Sequence, residues 1–249
     1  MLIENIKGNY TFVRGIGPFS AGVVGQPGFE IVHARFCPLI PLNAGYAGLE
    51  RHLTDLPRPI EALCGMELRI PRPLSREAFD QFNAPYIARL KGWGLEVQGA
   101  NPVTRTNVAY EAVPVAEPML AGFYYTVASD GQGPTFVLSG VPEIASRDGG
   151  VQIVARGDIS AEGLRLKTEC IMEVLAGHLA EMRLGWSMAT SVNLYTAHDL
   201  HPLLAATLMP ALGSAAHAGI TWYYSRPPVI GLEVEIDAHA VRRELVLMG

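Results

Sequence analysis

Near the end of the chain apolar and polar residues alternate strictly, with Leu232, Val234 and Ile236 set against Glu233, Glu235 and Asp237. A period of two marks a strand with one apolar face. Shorter β-rich runs bounded by Gly, Pro or charge recur along the chain, at 30–36, 65–71, 105–113, 119–127, 135–142, 151–154, 186–195 and 219–225. Helical spacing appears between them. Leu164, Ile171, Met172, Val174, Leu175 and Leu179 share a face, behind Asp158 or Ser160 as N-cap. A second helix is expected over 201–212, and a capped one over 75–86. The stretch 45–64 is expected to be partly helical, because Pro57 and Pro59 forbid a regular helix throughout. A loop is read at 146–150.

The second half thus reads β-β-α-β-α-β-β, and the first repeats the scheme less cleanly. The turn-rich stretch 128–134 separates them, which predicts an α+β protein of two tandem units, 1–128 and 129–249. At 249 residues the chain accommodates two units of about 120. Only 17% of residues are charged, so core material is ample, yet no apolar run reaches the ~18 residues of a membrane span. A formal net charge of −5 and the lack of a basic stripe speak against nucleic-acid binding. The N-terminal residues lack the apolar stretch of a secretory signal, and three scattered cysteines form no disulfide framework. A cytoplasmic setting is expected.

Several pieces together resemble the RidA/YjgF enamine–imine deaminase family. They are Gly17-Pro-Phe19-Ser20, the helix ending Phe82-Asn83-Ala-Pro-Tyr86, and the strand opened by Arg105 nine positions before Pro114. The second half adds Phe136-Val-Leu-Ser-Gly-Val-Pro, Gly157-Asp-Ile-Ser, Ser191-Val-Asn-Leu-Tyr and Val234-Glu-Ile-Asp-Ala-His. The resemblance implies two RidA-like units, each a mixed sheet covered by two helices, and assembly as a homo-oligomer, a trimer by family habit. It also implies hydrolysis of a small carboxylate-bearing enamine or imine without metal or cofactor. By that resemblance Arg105 binds the substrate carboxylate, with Asn83 and Phe19 in its pocket, and Glu235 occupies the position of the family's glutamate. Asn107, two residues beyond Arg105, belongs on the same strand face.

Neither half carries the whole set. In the first, the glutamate position falls near Leu120; in the second, the arginine position falls near Gly219. Three readings follow: a composite site, a working altered pocket around Arg105, or degeneration of both. Bland alternatives stand beside each residue. Glu235 shares its face with Glu233 and Asp237, as a solvated strand face would, and Phe19 fits a core as well as a pocket. His198 and His201 have a ligand-like spacing without a third ligand, so no metal site is assigned. His217 lies near the missing arginine position and offers a cation only when protonated. Tandem architectures of this kind also resemble chorismatases, which hydrolyse an enol ether, and a non-catalytic carboxylate-binding protein is the remaining alternative.

Overall fold

The computed structural model describes residues 2–15, 17–147 and 150–248; Asp148 and Gly149, within the expected loop, lie outside the described residues. The chain opens with β1 (Leu2–Asn5), β2 (Tyr10–Val13), β3 (Gly22–Gly25) and the long β4 (Phe29–Pro41). Then come α1 (Leu42–Asp55), β5 (Leu63–Arg69), α2 (Arg76–Gly92), β6 (Thr104–Tyr110) and β7 (Met119–Ala128). The second half runs β8 (Phe136–Leu138), β9 (Val141–Pro142), β10 (Ile144–Arg147), β11 (Gly150–Ile153), α3 (Ala161–Glu181) and β12 (Ser191–Thr196). A broken helical stretch follows, α4 (His201–Leu203) and α5 (Met209–Leu212) among it, then β13 (Thr221–Tyr223), β14 (Ser225–Arg226), β15 (Val234–Ala240) and β16 (Glu244–Leu247). The architecture is α+β.

Local chemistry explains the helix ends. The Ser75 side chain accepts from Ala78 N at α2, and the Ser160 side chain accepts from Gly163 N at α3. α1 stops before Pro57 and Pro59. α2 runs on to Gly92 past Pro85, farther than the expected 75–86. The expected helix over 201–212 is interrupted: Leu204–Leu208 is a π-turn between α4 and α5, ahead of Pro210, whose missing N–H cannot continue a regular ladder.

Two large sheets face each other. One has the order β1-β2-β3-β8-β15-β12-β13, with β9 also pairing with β15; the other runs β14-β6-β5-β7-β4-β16. Strands are exchanged between the halves. β1 to β3, from the first half, extend the sheet of the second through the β3–β8 pair, while β14 and β16 flank the sheet of the first. The linker at 128–134 therefore separates the helix-bearing halves in sequence but not the two sheets.

Helices cover the outer faces. Ile171, Leu175 and Leu179 of α3 pack on Phe136, Val192, Val234 and Ile236; Leu49 and Leu53 of α1, with Tyr86 and Leu90 of α2, pack on Val32, Leu68 and Phe123. A third cluster, including Tyr10, Phe12, Val23, Ile31 and Val137, fills part of the space between the sheets. The polar face of β15 also looks into that space. Glu235, Asp237 and His239 are 3–4% exposed, so the face read from the sequence as solvated is buried against the other sheet.

Candidate active site

β6 and β8 are knotted at their ends. Arg105 N donates to Ser139 Oγ at 3.0 Å, Ser139 Oγ donates to Ser20 O at 2.5 Å, and Gly140 N donates to Arg105 O at 3.2 Å. Ser20 N in turn donates to Val103 O at 3.0 Å, while Asn101 Nδ2 donates to Pro18 O, which fixes the Pro18–Phe19 turn over the start of β6. These bonds bring a first-half strand against the strand neighbours of β15. The Asn107 backbone N–H is close enough to Glu235 to stabilise its carboxylate form.

The consequence is one cavity of about 360 Å³ lined from both halves. Phe19, Asn83, Arg105, Asn107 and Glu235 all line it. Asn83 and Phe19 are brought in by α2 and by the turn before β3, and Asn83 is buried rather than at the helix surface. By contrast His198 pairs with Glu233 at 2.6 Å and His201 with Asp199 at 2.8 Å, so the two imidazoles are held by separate carboxylates. His217 is exposed and does not line the cavity.

Arg105 is the unusual residue. It is 3% exposed, and neither Nη1 nor Nη2 has a hydrogen-bond partner among the described residues. Aromatic rings surround it instead: its guanidinium carbon lies 4.7 Å from the Tyr86 ring centre, 4.9 Å from Phe19 and 5.5 Å from Phe79. Burial lowers its pKa, opposed by nearby tyrosines and Glu235. Ring faces stabilise a cation only modestly, by ~0.5–2 kcal/mol. A buried guanidinium whose two fork nitrogens are unpaired is a receptor for an anion with two acceptor oxygens. Asn107 Oδ1 and Nδ2, Asn83 Oδ1 and His178 Nδ1 are likewise buried without partners among the described residues.

Glu235 is the cavity's buried carboxyl group. Burial pushes its pKa up to about 8, and repulsion from Asp237 adds to this, while Arg105, Arg69 and the Asn107 N–H act the other way. At neutral pH it is mainly the neutral acid, so the cavity keeps a net positive charge from Arg105. Gly140 makes room for it. A Cβ at that position would overlap Glu235 Oε1 and lie 2.9 Å from its carboxyl carbon. Neither Gly140 nor His178 was singled out from the sequence; for Gly140 the signal was a glycine closing a strand run, whereas His178 had none.

The family model for the 2-aminomuconate deaminase CnbZ matches residues 2–245. The chain belongs to this deaminase family. The RidA/YjgF-like reading of the sequence agrees with it. The chain is 37% identical over 246 residues to a 2-amino-5-chloromuconate deaminase of Comamonas testosteroni, spanning 96% of each chain. A chorismatase crystal structure superposes with a TM-score of 0.51 at 10% identity, covering 89% of this chain and 77% of the other, a likeness of fold alone. A YjgF/YER057c/UK114 member from Mycobacterium tuberculosis matches 43% of this chain and 78% of its own at 17% identity and a TM-score of 0.24. No helix among the described residues is long and apolar enough to cross a membrane.

Proposed function

We propose that the protein hydrolyses a 2-aminomuconate-type enamine, a small unsaturated amino dicarboxylate, to its oxo acid and ammonia. The observation that carries this reading is the buried Arg105 fork, unpaired and facing the same cavity as a protonatable Glu235. One substrate carboxylate takes both Nη groups of Arg105 in parallel hydrogen bonds. Asn83 and Asn107 orient the amino end, and Phe19 with Tyr86 walls the guanidinium from water. Arg14 and Arg76 also line the cavity and are exposed, which suits the second carboxylate at the mouth.

Neutral Glu235 gives its proton to the enamine carbon, and the nitrogen lone pair forms the C=N bond. The carboxylate so produced accepts a proton from water as the water oxygen attacks the carbon of the C=N bond, and the acid is thereby restored. Transfer of a proton from the new hydroxyl to the nitrogen then lets ammonia leave as the C=O bond forms. One water is consumed and one ammonia released. The rise in pKa supports the first step, because an ordinary glutamate would be ionised at neutral pH.

The second reading, enol-ether hydrolysis as in a chorismatase, has the fold likeness in its favour but no residue of its own; a binding protein without turnover would not need a protonated Glu235. The test is ammonia release from 2-aminomuconate generated in situ. Wild type accelerates it over the spontaneous rate. Arg105→Ala, with an unchanged far-UV spectrum, loses most of kcat/KM. Wild type that binds without accelerating release overturns the deaminase reading.

A further inference from the structure

A second polar cluster lies between the sheets, beside a separate cavity of about 450 Å³ that shares no lining residue with the Arg105 cavity. His33 of β4, His239 of β15 and Glu244 of β16 meet there, and their ligand atoms all lie within 4.8 Å of one another. Glu244 Oε1 is 3.3 Å from His33 Nδ1 and 3.4 Å from His239 Nε2. Nitrogen and oxygen donors bound at ~2.0–2.1 Å around one tetrahedral zinc sit roughly 3.3 Å apart. Two edges of the triangle already have that length.

The hydrogen bonds behind the rings decide which nitrogens face inward. Tyr124 OH donates its one proton to Glu67 Oε1 at 2.7 Å and so accepts from His239 Nδ1 at 3.0 Å. His239 is therefore protonated on Nδ1, and its Nε2 lone pair points toward Glu244. That Nε2 is buried and has no hydrogen-bond partner among the described residues. On the other side His33 Nε2 lies 3.0 Å from Glu67 Oε1, which leaves Nδ1 toward Glu244. Arg35 lies near the other oxygen of Glu244, 4.0 Å from Oε2, so Oε1 remains for the imidazoles. His33 Nδ1 is in hydrogen-bond contact with Glu244 Oε1, so a proton bridges them where no ion is bound, and a cation would take that proton's place. A carboxylate or phenol behind each metal-facing imidazole is the outer-shell arrangement that metal-bound histidines use.

We propose that His33, His239 and Glu244 bind one divalent transition cation of the zinc class. The ion fastens the two sheets together, since His239 stands on one sheet while His33 and Glu244 stand on the other. It takes no part in deamination. Glu67 and Tyr124 orient its ligands, and the 450 Å³ cavity leaves room for a water in a fourth position. A proton on His33 competes with the ion, so binding weakens as pH falls.

The test titrates Co²⁺ and Zn²⁺ into the chelator-stripped full chain. One ion per chain is expected, with the visible absorption of tetrahedral Co²⁺ and a rise in Tm. Glu244→Gln, at a half-exposed position that tolerates substitution, loses the absorption band and the Tm shift. Glu67→Gln, altering only the support behind His33, weakens binding by ~10–100-fold. Substoichiometric binding by wild type, or binding that Glu244→Gln leaves unchanged, overturns the proposal.

Discussion

Replacing Gly140 with alanine separates function from stability more cleanly than removing a charged group. Gly140 is absent from the positive-φ glycines, so alanine brings no backbone strain there. What it brings is one methyl group against Glu235. To regain ordinary contact the Glu235 carboxyl carbon must withdraw by about 0.5 Å from 2.9 Å, and Oε1, in overlap, must withdraw farther. The side chain can yield toward the cavity, so the folding cost should lie at the low end of the ~1–3 kcal/mol of an overpacked site. Catalysis is less forgiving, because a misplacement near 1 Å costs on the order of 10²-fold. Gly140→Ala is thus expected to lower kcat for ammonia release about 100-fold, roughly 2.7 kcal/mol of barrier, with Tm nearly unchanged. The same substitution in a Glu235→Ala background, where nothing remains to push, should cost no further activity. A Gly140→Ala enzyme within about twofold of wild type would refute the placing of Glu235 as the proton carrier.

Other expectations follow from the same geometry. The kcat/KM profile should fall on the alkaline side with an apparent pKa near 8, the value burial gives Glu235, and Glu235→Gln should lose that limb along with activity. Because the folded-state pKa of Glu235 is raised above the ordinary 4.5, its contribution to stability is fully present below that value and is lost as pH rises through about 8. Glu235→Gln should accordingly raise Tm relative to wild type at alkaline pH but not at mildly acidic pH; equal shifts at both would contradict the assignment. Lys167 and Glu143 form a wholly buried ion pair at 3.2 Å, and Glu143 also accepts from Glu233 N at 2.7 Å and Val234 N at 3.2 Å. Lys167→Met should cost about 3 kcal/mol in urea unfolding, since one partner is left buried; a loss below about 1 kcal/mol would show the pair to be dispensable.

The strand-face relations within this cavity were legible in local pattern, whereas the choice of Arg105, Asn83, Phe19 and Glu235 came from the family resemblance. The β15 alternation puts Glu235 and Val234 on opposite faces, and the i, i+2 relation of Arg105 and Asn107 on β6 puts them on one. What the pattern could not tell is what lies beyond a polar face. Glu235 and Asp237 read as compatible with a solvated face, yet both are buried: Thr106 Oγ1 of the facing sheet donates to Asp237 Oδ2 at 2.5 Å, and Asn193 Nδ2, on the neighbouring strand β12 of the same sheet, donates to Asp237 Oδ1 at 2.7 Å. Period two distinguishes faces but not water from a satisfied polar interface. Strand exchange was equally hidden. β1 to β3 have four residues each, too short for any local signal to choose between two sheets, and β16 joins β4 across 211 residues of sequence, as Glu244 pairs with His33. The His33–His239–Glu244 cluster depends on that pairing and so had no sequence signature.

The central claim is that Arg105, from the first half, and Glu235, from the second, act in one site. The most direct measurement compares kcat/KM for ammonia release from in-situ 2-aminomuconate in Arg105→Ala, Glu235→Gln and the double variant, each checked for native Tm. Groups serving one transition state lose activity non-additively, so the double variant should be little worse than the poorer single one. Losses that multiply, or a Glu235→Gln enzyme with full activity, would contradict a composite site.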